Sequence, residues 1–425
     1  MVSEAGAHLL HLDLGSLMGV GVLAGGWWLL RRRSAVAPLA RPASLGGWLE
    51  RCEALLDQFG ALEASDAPSL PGRRAGLDRL RQQIERSDLS LALTGCRPPS
   101  ADLAAPFAAA LRTRAGLRLH WGHPLPAATA TRSWPEEFEQ ADVVLHHLRL
   151  PLSAVDLRWL EALPEGQPAW LLVEAGGDAE PAPLAGELAS LWSGADPSRL
   201  LVWDGRCESV EACLAPLKSW LASEAAALRP ATSLRCLESL HGRWQADLEQ
   251  LRRREWRGLL QRTQWIVAAG VVVTPLPSVD LLVLAVANGL MLQEMARLWN
   301  CPWQAGPLRA AAVELARACL ALGVVEWTGQ ALAAAIRLHG ATWLVGGALQ
   351  ALSAAYLTRV VGHAMADVMA LSAGVSEPDL EAIRREAPLL VARAAEAERT
   401  DWPAFLREAR RWLQQQTPAL LQQTS

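Results

Sequence analysis

The segment from residue 265 to residue 295 constrains the fold of this chain more than any other. Apart from Asp280, residues 265–293 carry no charged side chain. A turn that contains Pro275 and Pro277 divides the segment into two apolar arms. Prolines this close together cannot sit within one continuous helix, because each lacks an N–H donor and crowds the preceding turn. The segment is therefore predicted to be a hydrophobic hairpin or a sharply broken helix.

The length of the two arms leaves two structures open. Each arm is shorter than the about 20 apolar residues that cross a bilayer. A buried core hairpin and a re-entrant membrane segment both fit. Asp280 directly precedes the second arm and is predicted to be its helix N-cap. The segment follows a basic cluster at residues 252–257, which is typical of a sequence that faces an anionic membrane surface, although a solvated helix face also fits.

Composition favours a soluble part joined to a hydrophobic part. The 425 residues are enough for two or three domains, and 51% of them are hydrophobic, with a mean hydropathy of +0.13. The formal net charge of -4 argues against a nucleic-acid partner. The seven cysteines form no C-x-x-C pair, so we expect no metal site and no disulfide framework.

The N-terminal region is predicted to anchor the chain. Residues 14–30 carry no charge, and three arginines follow at 31–33. By the positive-inside rule, residues 1–33 form a transmembrane anchor whose arginines stay in the cytoplasm. Residues 34–87 are predicted to be a linker with two amphipathic helices, at 48–59 and 77–84, because their apolar residues recur at spacings of three and four.

Residues 88–230 are predicted to form an α/β domain with a parallel sheet, because short apolar runs alternate there with helical patterns. The predicted strands are residues 89–93, 117–121, 143–148, 170–173 and 200–203. The predicted helices are residues 103–115, 154–163, 184–192 and 210–228. The histidines His146 and His147 are neighbours in a strand and should point to opposite faces, which argues against a shared metal site.

The turn after the first strand, residues 95–102, is where such a domain would hold a phosphate. That chemistry requires glycines, free N–H groups, a lysine and a hydroxyl group. Here Pro98 and Pro99 remove two donors, and Asp102 would repel an anion. The only lysine in the chain is Lys218. We therefore predict no bound cofactor and no catalytic nucleotide site.

The same domain resembles an Era-type P-loop GTPase that has lost its motifs. Residues 141–145 resemble the strand after switch II of that family, and residues 167–173 resemble the strand before its guanine-reading motif. That motif would fall at residues 175–178, where only Asp178 matches. The switch II motif would fall at residues 121–124, which have lost both of its fixed residues, and the strand that carries switch I is missing. The resemblance implies a degenerate GTPase-like fold and carries over no nucleotide site.

Residues 231–398 are predicted to be a hydrophobic helical domain, and residues 399–425 a polar C-terminal helix. The first helix should span residues 231–262. Three further segments follow the hairpin, at residues 310–336, 341–357 and 360–371. Ser376 and Asp379 are predicted to form a capping box for a helix over residues 377–398.

This helical region is similar to domain of unknown function 697, the YcjF-like bacterial membrane proteins. The residues that carry the resemblance are Pro275, Pro277 and Asp280 with their apolar arms, and the sequence VGHA at residues 361–364. The resemblance implies association with a membrane. It implies no reaction, since none is assigned to the family, in which this domain often follows a GTPase domain.

A few polar residues in the hydrophobic domain are candidates for a functional or structural role. Glu314 and Arg317 are spaced for an ion pair within one helix. His363 and Asp367 lie one helical turn apart and are predicted to form a polar pair. In lipid, the charges of Glu314 and Arg317 would have to face the protein interior. Six tryptophans near predicted membrane ends were also interpreted as interface residues: Trp27, Trp28, Trp256, Trp265, Trp299 and Trp303.

The function predicted from these features is that of a non-catalytic scaffold or regulator at a bacterial membrane, inner or internal, with its α/β domain in the cytoplasm. Its expected partners are the lipid bilayer and a protein such as a competent GTPase, and it could form a homo-oligomer. The alternatives are a membrane pore or lipid-handling module, and an unorthodox GTP-binding protein.

Overall fold

A computed structural model of the chain describes residues 42, 44–63, 69–114, 116–126, 134–175, 186, 188, 196–273, 289–339, 347–372 and 378–423. The chain divides into two compact units. The first comprises Arg41–Leu248, and the second contains Glu249–Ser425. The predicted anchor at residues 1–33, with Trp27 and Trp28, and the turn with Pro275, Pro277 and Asp280 lie outside the described residues.

The first unit begins with two amphipathic helices, α1 (Leu45–Leu62) and α2 (Ser69–Ile84). Ser44 caps α1 by accepting a hydrogen bond from the amide of Gly47 at 3.2 Å. The residues that each helix buries recur at three- and four-residue spacings, as predicted. They are Trp48, Cys52, Leu55, Leu56 and Phe59 in α1, and Leu70, Leu77 and Leu80 in α2.

The five predicted strands are confirmed and form one parallel sheet. They are β1 (Leu89–Thr94), β2 (Leu117–Trp121), β3 (Val143–Arg149), β4 (Ala169–Glu174) and β5 (Leu200–Trp203). Their order is β2-β1-β3-β4-β5, and all neighbours are parallel. Every residue of β1 is buried, as expected of a strand covered on both faces.

The helices between the strands are short. After β1 the chain forms a 3₁₀ turn at Ala101–Leu103 and then α3 (Ala104–Ala110); α4 (Glu136–Glu139) precedes β3, and α5 (Ala154–Glu161) follows it. A capping box between Ser153 and Asp156 begins α5. The predicted helix at residues 184–192 lies outside the described residues, except for 186 and 188.

One long helix, α6 (Val210–Val273), replaces three separately predicted elements. The sequence favoured a break at Pro230 and a new arm after residue 264, but Pro216 and Pro230 both lie inside the helix. An interior proline costs a helix about 3 kcal/mol. The apolar side chains buried on both sides of Pro230, among them Leu228 and Leu237, oppose that cost. The division between the two units falls inside this helix.

The described part of the second unit is helical. Its helices are α7 (Gly289–Leu298), α8 (Ala305–Ala321), α9 (Val324–His339), α10 (Gly347–Leu371), α11 (Leu380–Thr400) and α12 (Trp402–Gln423). The predicted segment at residues 310–336 is two helices, because Gly323 adopts a positive φ of 66° and ends the first one. From Gly347 onward, the two predicted segments at 341–357 and 360–371 are instead one helix.

The cap of α11 also differs from the predicted one. Asp379 is itself the N-cap, and its carboxylate accepts hydrogen bonds from the amides of Glu381 and Ala382 at 3.1 and 3.0 Å. Aspartate caps a helix about as well as serine, so the helix begins three residues later than residue 377. Ser376 lies outside the described residues.

Tryptophans predicted to lie at a membrane interface are core residues instead. Trp256 and Trp299 are fully buried and meet edge to face, with ring centroids 6.4 Å apart. Trp265 stacks on Phe405 and Trp412, and Trp303 is also buried. Trp256, Trp299 and Trp303 are thereby buried in the helical core, and Trp265 is partly buried against it.

Within the described ranges, we find no helix whose length and hydropathy together would suffice to cross a bilayer.

The contact between α10 and α6 depends on a glycine. A Cβ atom on Gly362 would lie 2.8 Å from Leu260 Cδ1 and 2.9 Å from Trp256 Cζ2. Gly362→Ala is therefore expected to destabilise the protein by about 1–3 kcal/mol, because the side chains of α6 must move apart. Urea unfolding measures the effect.

The matched control is Gly329→Ala in α9, where an added Cβ meets no atom within 4 Å. It should be neutral or stabilising by up to about 1 kcal/mol, since alanine favours helix. Equal stabilities of the two variants would contradict the close packing at Gly362.

Candidate functional site

The carboxyl edge of the sheet is the first place to look for a ligand site. In an open parallel sheet, ligands bind outside the carboxyl ends of the strands where the strand order reverses. In the order β2-β1-β3-β4-β5 this point lies between β1 and β3. The residues there come from the ends of β1, β3 and β4 and from the loop after β1.

The loop after β1 folds back onto the end of β3. The backbone of Gly95 approaches β3 so closely that a Cβ atom would lie 2.5 Å from the carbonyl oxygen of His147. The carbonyl of Arg97 accepts a hydrogen bond from His147 Nδ1 at 2.7 Å, and the Arg97 guanidinium donates to the carbonyl of Arg149 at 3.2 Å. The polar groups of this loop are thus used within the protein, where a phosphate-binding loop would present them to a ligand.

The end of β3 is tied to the end of β4 by charge. Arg149 and Glu174 are partners in the sheet register, and Arg149 holds the Glu174 carboxylate through bonds of 2.7 to 3.0 Å. His147 Nε2 lies 3.2 Å from the other side of that carboxylate, at Oε2. Burial lowers the pKa of His147, and the Arg97 carbonyl and Glu174 only partly oppose this effect. A neutral imidazole that donates through Nδ1 to the Arg97 carbonyl has no second N–H, so His147 Nε2 faces Glu174 without a hydrogen bond.

His146 points to the opposite face from His147, as the alternation along a strand predicts. Its Nδ1 lies 3.0 Å from the hydroxyl of Thr94. Its side chain is fully buried, and this burial lowers the pKa from 6.5 to about 4, so that the imidazole is neutral at physiological pH. The two histidines have no common partner. No group of three metal-ligating side chains occurs in the part of the chain that the structure describes.

Cys96, at the start of the loop, is not an activated nucleophile. Burial and the Asp156 carboxylate raise the pKa of its thiol to about 12. A cysteine reacts as the thiolate, which requires a lowered pKa and a positive environment. Cys96 therefore acts as a thiol donor to Asp156, which also caps α5 through Ser153.

The GTPase resemblance places switch II at residues 121–124. The backbone there is hydrogen-bonded to the end of β1 and to the residue after it. The amide of Gly122 donates to the carbonyl of Leu93 at 2.9 Å, and that of Leu125 donates to Gly95 at 2.9 Å. Of the stretch that corresponds to the guanine-reading motif, only Ala175 is described, and its amide donates to Trp203. Asp178 lies outside the described residues.

In the second unit, the predicted ion pair between Glu314 and Arg317 is confirmed at 2.6 Å. Arg384 on α11 adds a second contact to Glu314 at 3.3 Å. This carboxylate therefore joins α8 to α11 as well as to its own helix.

The predicted pair between His363 and Asp367 is wrong. His363 Nε2 lies 2.9 Å from Glu398 Oε1 on α11, and Asp367 accepts from Arg253 on α6 at 2.6 Å. Both residues lie on α10, but each side chain contacts a neighbouring helix, α11 for His363 and α6 for Asp367.

The basic cluster at residues 252–257 is partly used inside the unit, contrary to the interpretation as a membrane-facing surface. Arg252 is only 4% exposed. Arg253 binds Glu249 at 2.6 Å as well as Asp367, and Glu249 also accepts from the indole N–H of Trp299 at 2.9 Å. Arg254 and Arg257 are exposed.

A second buried network surrounds Arg359, which sequence reasoning missed. Its guanidinium lies 2.6 Å from Glu398, 3.5 Å from Glu408 and 3.8 Å from Asp401. Burial by itself would raise the pKa of Glu398, but the hydrogen bond from His363 and the charge of Arg359 lower it overall. The signal in the sequence is an arginine one turn before His363 in an apolar segment. The network joins α10, α11 and the start of α12.

Comparison with family models gives a single result on this chain. Residues 236–393 match the family described as Domain of unknown function (DUF697). The matched region runs from within α6 to within α11, and so includes Arg253, Arg359, His363 and Asp367. Comparison with curated proteins and with solved structures gave no match. The DUF697 match covers somewhat more than a third of the chain and leaves the sheet outside it.

Acid should weaken the first unit through His146. The folded state holds this imidazole neutral to a pKa of about 4, whereas the unfolded state takes up a proton near pH 6.5. The contribution of His146 to the free energy of unfolding is therefore fully present above pH 6.5. As the pH falls from 6.5 to 4, about 3 kcal/mol of this free energy is lost. Urea unfolding at a series of pH values measures this.

His146→Gln is the comparison variant, since it removes the titrating group. Its stability should change less between pH 6.5 and pH 4 than that of the original chain, whatever its stability at pH 7. Parallel pH profiles for the two proteins would contradict the role assigned to His146.

The pair Arg253–Asp367 within the DUF697 match is expected to stabilise the second unit. Alanine substitutions at each position and at both should show a coupling energy of about 1 kcal/mol, because each side chain is roughly 30% exposed. The more exposed pair Arg384–Glu381 is the control, with an expected coupling under about 0.5 kcal/mol. Equal coupling in the two cycles would show that Arg253 and Asp367 are not held together.

Proposed function

We propose that this protein is a non-catalytic scaffold or regulator attached to a bacterial membrane, whose α/β unit is a degenerate GTPase-like domain that binds a partner protein. The observation that carries the proposal is the closed loop after β1. Its glycine packs on β3, and its arginine and carbonyl groups are bonded to residues of β3.

The arrangement after this loop also opposes nucleotide binding. A phosphate site uses the free amides at a helix N-terminus. Here Pro98 and Pro99 have no amide hydrogen, and Asp102 places a carboxylate in the first turn of the 3₁₀ segment. Transfer of a phosphoryl group needs positioned donors and counter-charges. Arg149 has the right charge for this, but Glu174 already binds it at 2.7 Å.

The strand order is compatible with the GTPase-like part of the proposal. The order β2-β1-β3-β4-β5 is what remains of the GTPase sheet when the strand carrying switch I is absent. Flavodoxin-like domains have the same order, so the order alone favours neither. The resemblance of residues 141–145 and 167–173 to the GTPase strands favours the former.

The membrane part of the proposal is supported by the sequence. Residues 14–30 are free of charge, and residues 265–293 carry only Asp280. The resemblance of this region to the YcjF-like membrane proteins, carried by Pro275, Pro277, Asp280 and the sequence VGHA at residues 361–364, adds support. The pore or lipid-handling alternative needs unpaired polar groups in the helical unit, and Glu314, His363 and Asp367 each have a partner there.

Titration calorimetry of the full chain with GTP, GDP and ATP in the presence of magnesium tests the proposal. We expect no binding in the micromolar range, because the loop offers neither donors nor positive charge. A competent GTPase in the same buffer is the positive control. Micromolar binding of any of these nucleotides would contradict the scaffold proposal and favour the alternative, an unorthodox GTP-binding protein.

Alkaline carbonate extraction of bacterial membranes tests the attachment separately. The full-length chain is expected in the pellet, and its recovery in the soluble fraction would contradict the membrane part of the proposal.

A further inference from the structure

The exposed face of α12 carries a row of three arginines. Arg407, Arg410 and Arg411 are all exposed, and helical spacing places them on one face with Gln414. The opposite face is packed into the second unit through the buried residues Phe405, Ala409, Trp412 and Leu413. We refer to Arg407, Arg410 and Arg411 as the basic row.

The basic row is not neutralised within the described residues. The acid on the described part of α12 is Glu408, and it lies on a flank of the helix, 3.5 Å from Arg359. The described residues provide no acidic side chain within ion-pair distance of the three arginines. Like charges three or four residues apart on a helix repel each other and destabilise it. An arrangement that weakens its own helix points to an anionic partner.

An exposed apolar residue lies on the helix that packs against α12. Trp412 stacks on Trp265 of α6 with centroids 5.2 Å apart, which joins α12 to α6. Next to Trp265 in the sequence is Ile266, whose side chain is 62% exposed. The exposed apolar side chain and the basic row therefore belong to two helices that this stacked pair joins.

We infer that the basic row binds the phosphate headgroups of anionic phospholipids and lays α12 against the membrane surface. Arginine pairs with phosphate in a bidentate manner. Each arginine near an anionic surface favours binding about fivefold, so that three favour it on the order of a hundredfold. Ile266 would enter the region between headgroups and acyl chains, as apolar residues of interfacial helices do. The inference rests on the proposed attachment to a membrane.

A lipid surface fits this geometry better than an acidic protein. The basic row lies along the exposed face of α12 and not around a single point, which suits an extended anionic surface. The neighbouring helix α6 leads, at its end, into the stretch at residues 265–293 whose single charge is Asp280. A surface that combines negative charge with an apolar interior matches both features.

Energy transfer between α12 and lipid headgroups tests the inference. The full chain, with a fluorescent coumarin amino acid at position 414, is reconstituted into bilayer discs that contain an acceptor-labelled lipid. The discs are made of phosphatidylcholine alone or with added phosphatidylglycerol. We expect transfer to be about twofold higher or more with phosphatidylglycerol, and to fall to the phosphatidylcholine level at molar salt.

The triple variant R407Q/R410Q/R411Q should lose the response to phosphatidylglycerol. The control R74Q/R112Q/R114Q removes three exposed arginines from the first unit, with the same change in charge, and should keep it. Circular dichroism and unfolding midpoints verify that both variants fold.

Equal transfer in the two lipids, or an undiminished response in R407Q/R410Q/R411Q, would overturn the inference. So would a photoreactive residue at position 414 that crosslinks in cell membranes to a polypeptide and not to lipid, which would indicate an acidic protein partner. Carbonate extraction of the same variants separates the two proposals. A chain that carbonate releases contradicts the membrane attachment, whereas a retained chain with lipid-independent transfer contradicts only the role of the basic row.

Discussion

The apolar stripe of α6 is the constraint on which the rest of the structure depends. Its N-terminal half contributes Leu214, Leu217 and Leu221 to the core beneath the sheet. Its C-terminal half contributes Trp256 and Leu260 to the core of the second unit. A single helix thus supplies part of the core of each unit. Burial of this stripe explains why α6 continues through Pro230, since a break there would remove apolar side chains from the first core.

Buried charges fix the helices of the second unit relative to one another. Apolar packing alone is not directional, and helices with alanine-rich faces could slide or rotate with little loss. Arg253 with Asp367 joins α6 to α10, while Arg359 with Glu398 joins α10 to α11. The Arg253–Asp367 pair is partly exposed, whereas Arg359 and Glu398 are nearly buried, so the loss of either of these two would leave an unpaired buried charge. The polar residues that stand out in this hydrophobic region therefore have a structural explanation.

The sheet has the architecture of a ligand-binding domain, but its carboxyl edge is closed by its own side chains. In related architectures the crevice at the switch point receives a ligand. Here the ends of β1, β3 and β4 are joined through Arg97, His147, Arg149 and Glu174. Arg97 and the Nδ1 of His147 are bonded to backbone carbonyls, and Arg149 and Glu174 bind each other, so these groups are engaged within the protein.

The sequence by itself determined the five strands and the change from an α/β region to a helical one. Strands buried on both faces are continuous apolar runs, so Leu89–Thr94 and Val143–Arg149 are visible without any knowledge of their neighbours. The missing donors of the loop after β1 could also be predicted, because proline has no amide hydrogen in any fold and the carboxylate of aspartate is negatively charged. Local residue chemistry was sufficient in each of these cases.

Only the tertiary structure decided the continuity of α6, the burial of Trp256 and Trp299, and the partners of His363 and Asp367. A proline disfavours helix locally, and packing energy from distant residues overrides it. A tryptophan suits a membrane interface and a protein core equally well, and only its neighbours select one. The charge partners Arg253 and Glu398 are far from His363 and Asp367 in sequence. No spacing rule within one helix could reveal them, because electrostatic attraction acts through space.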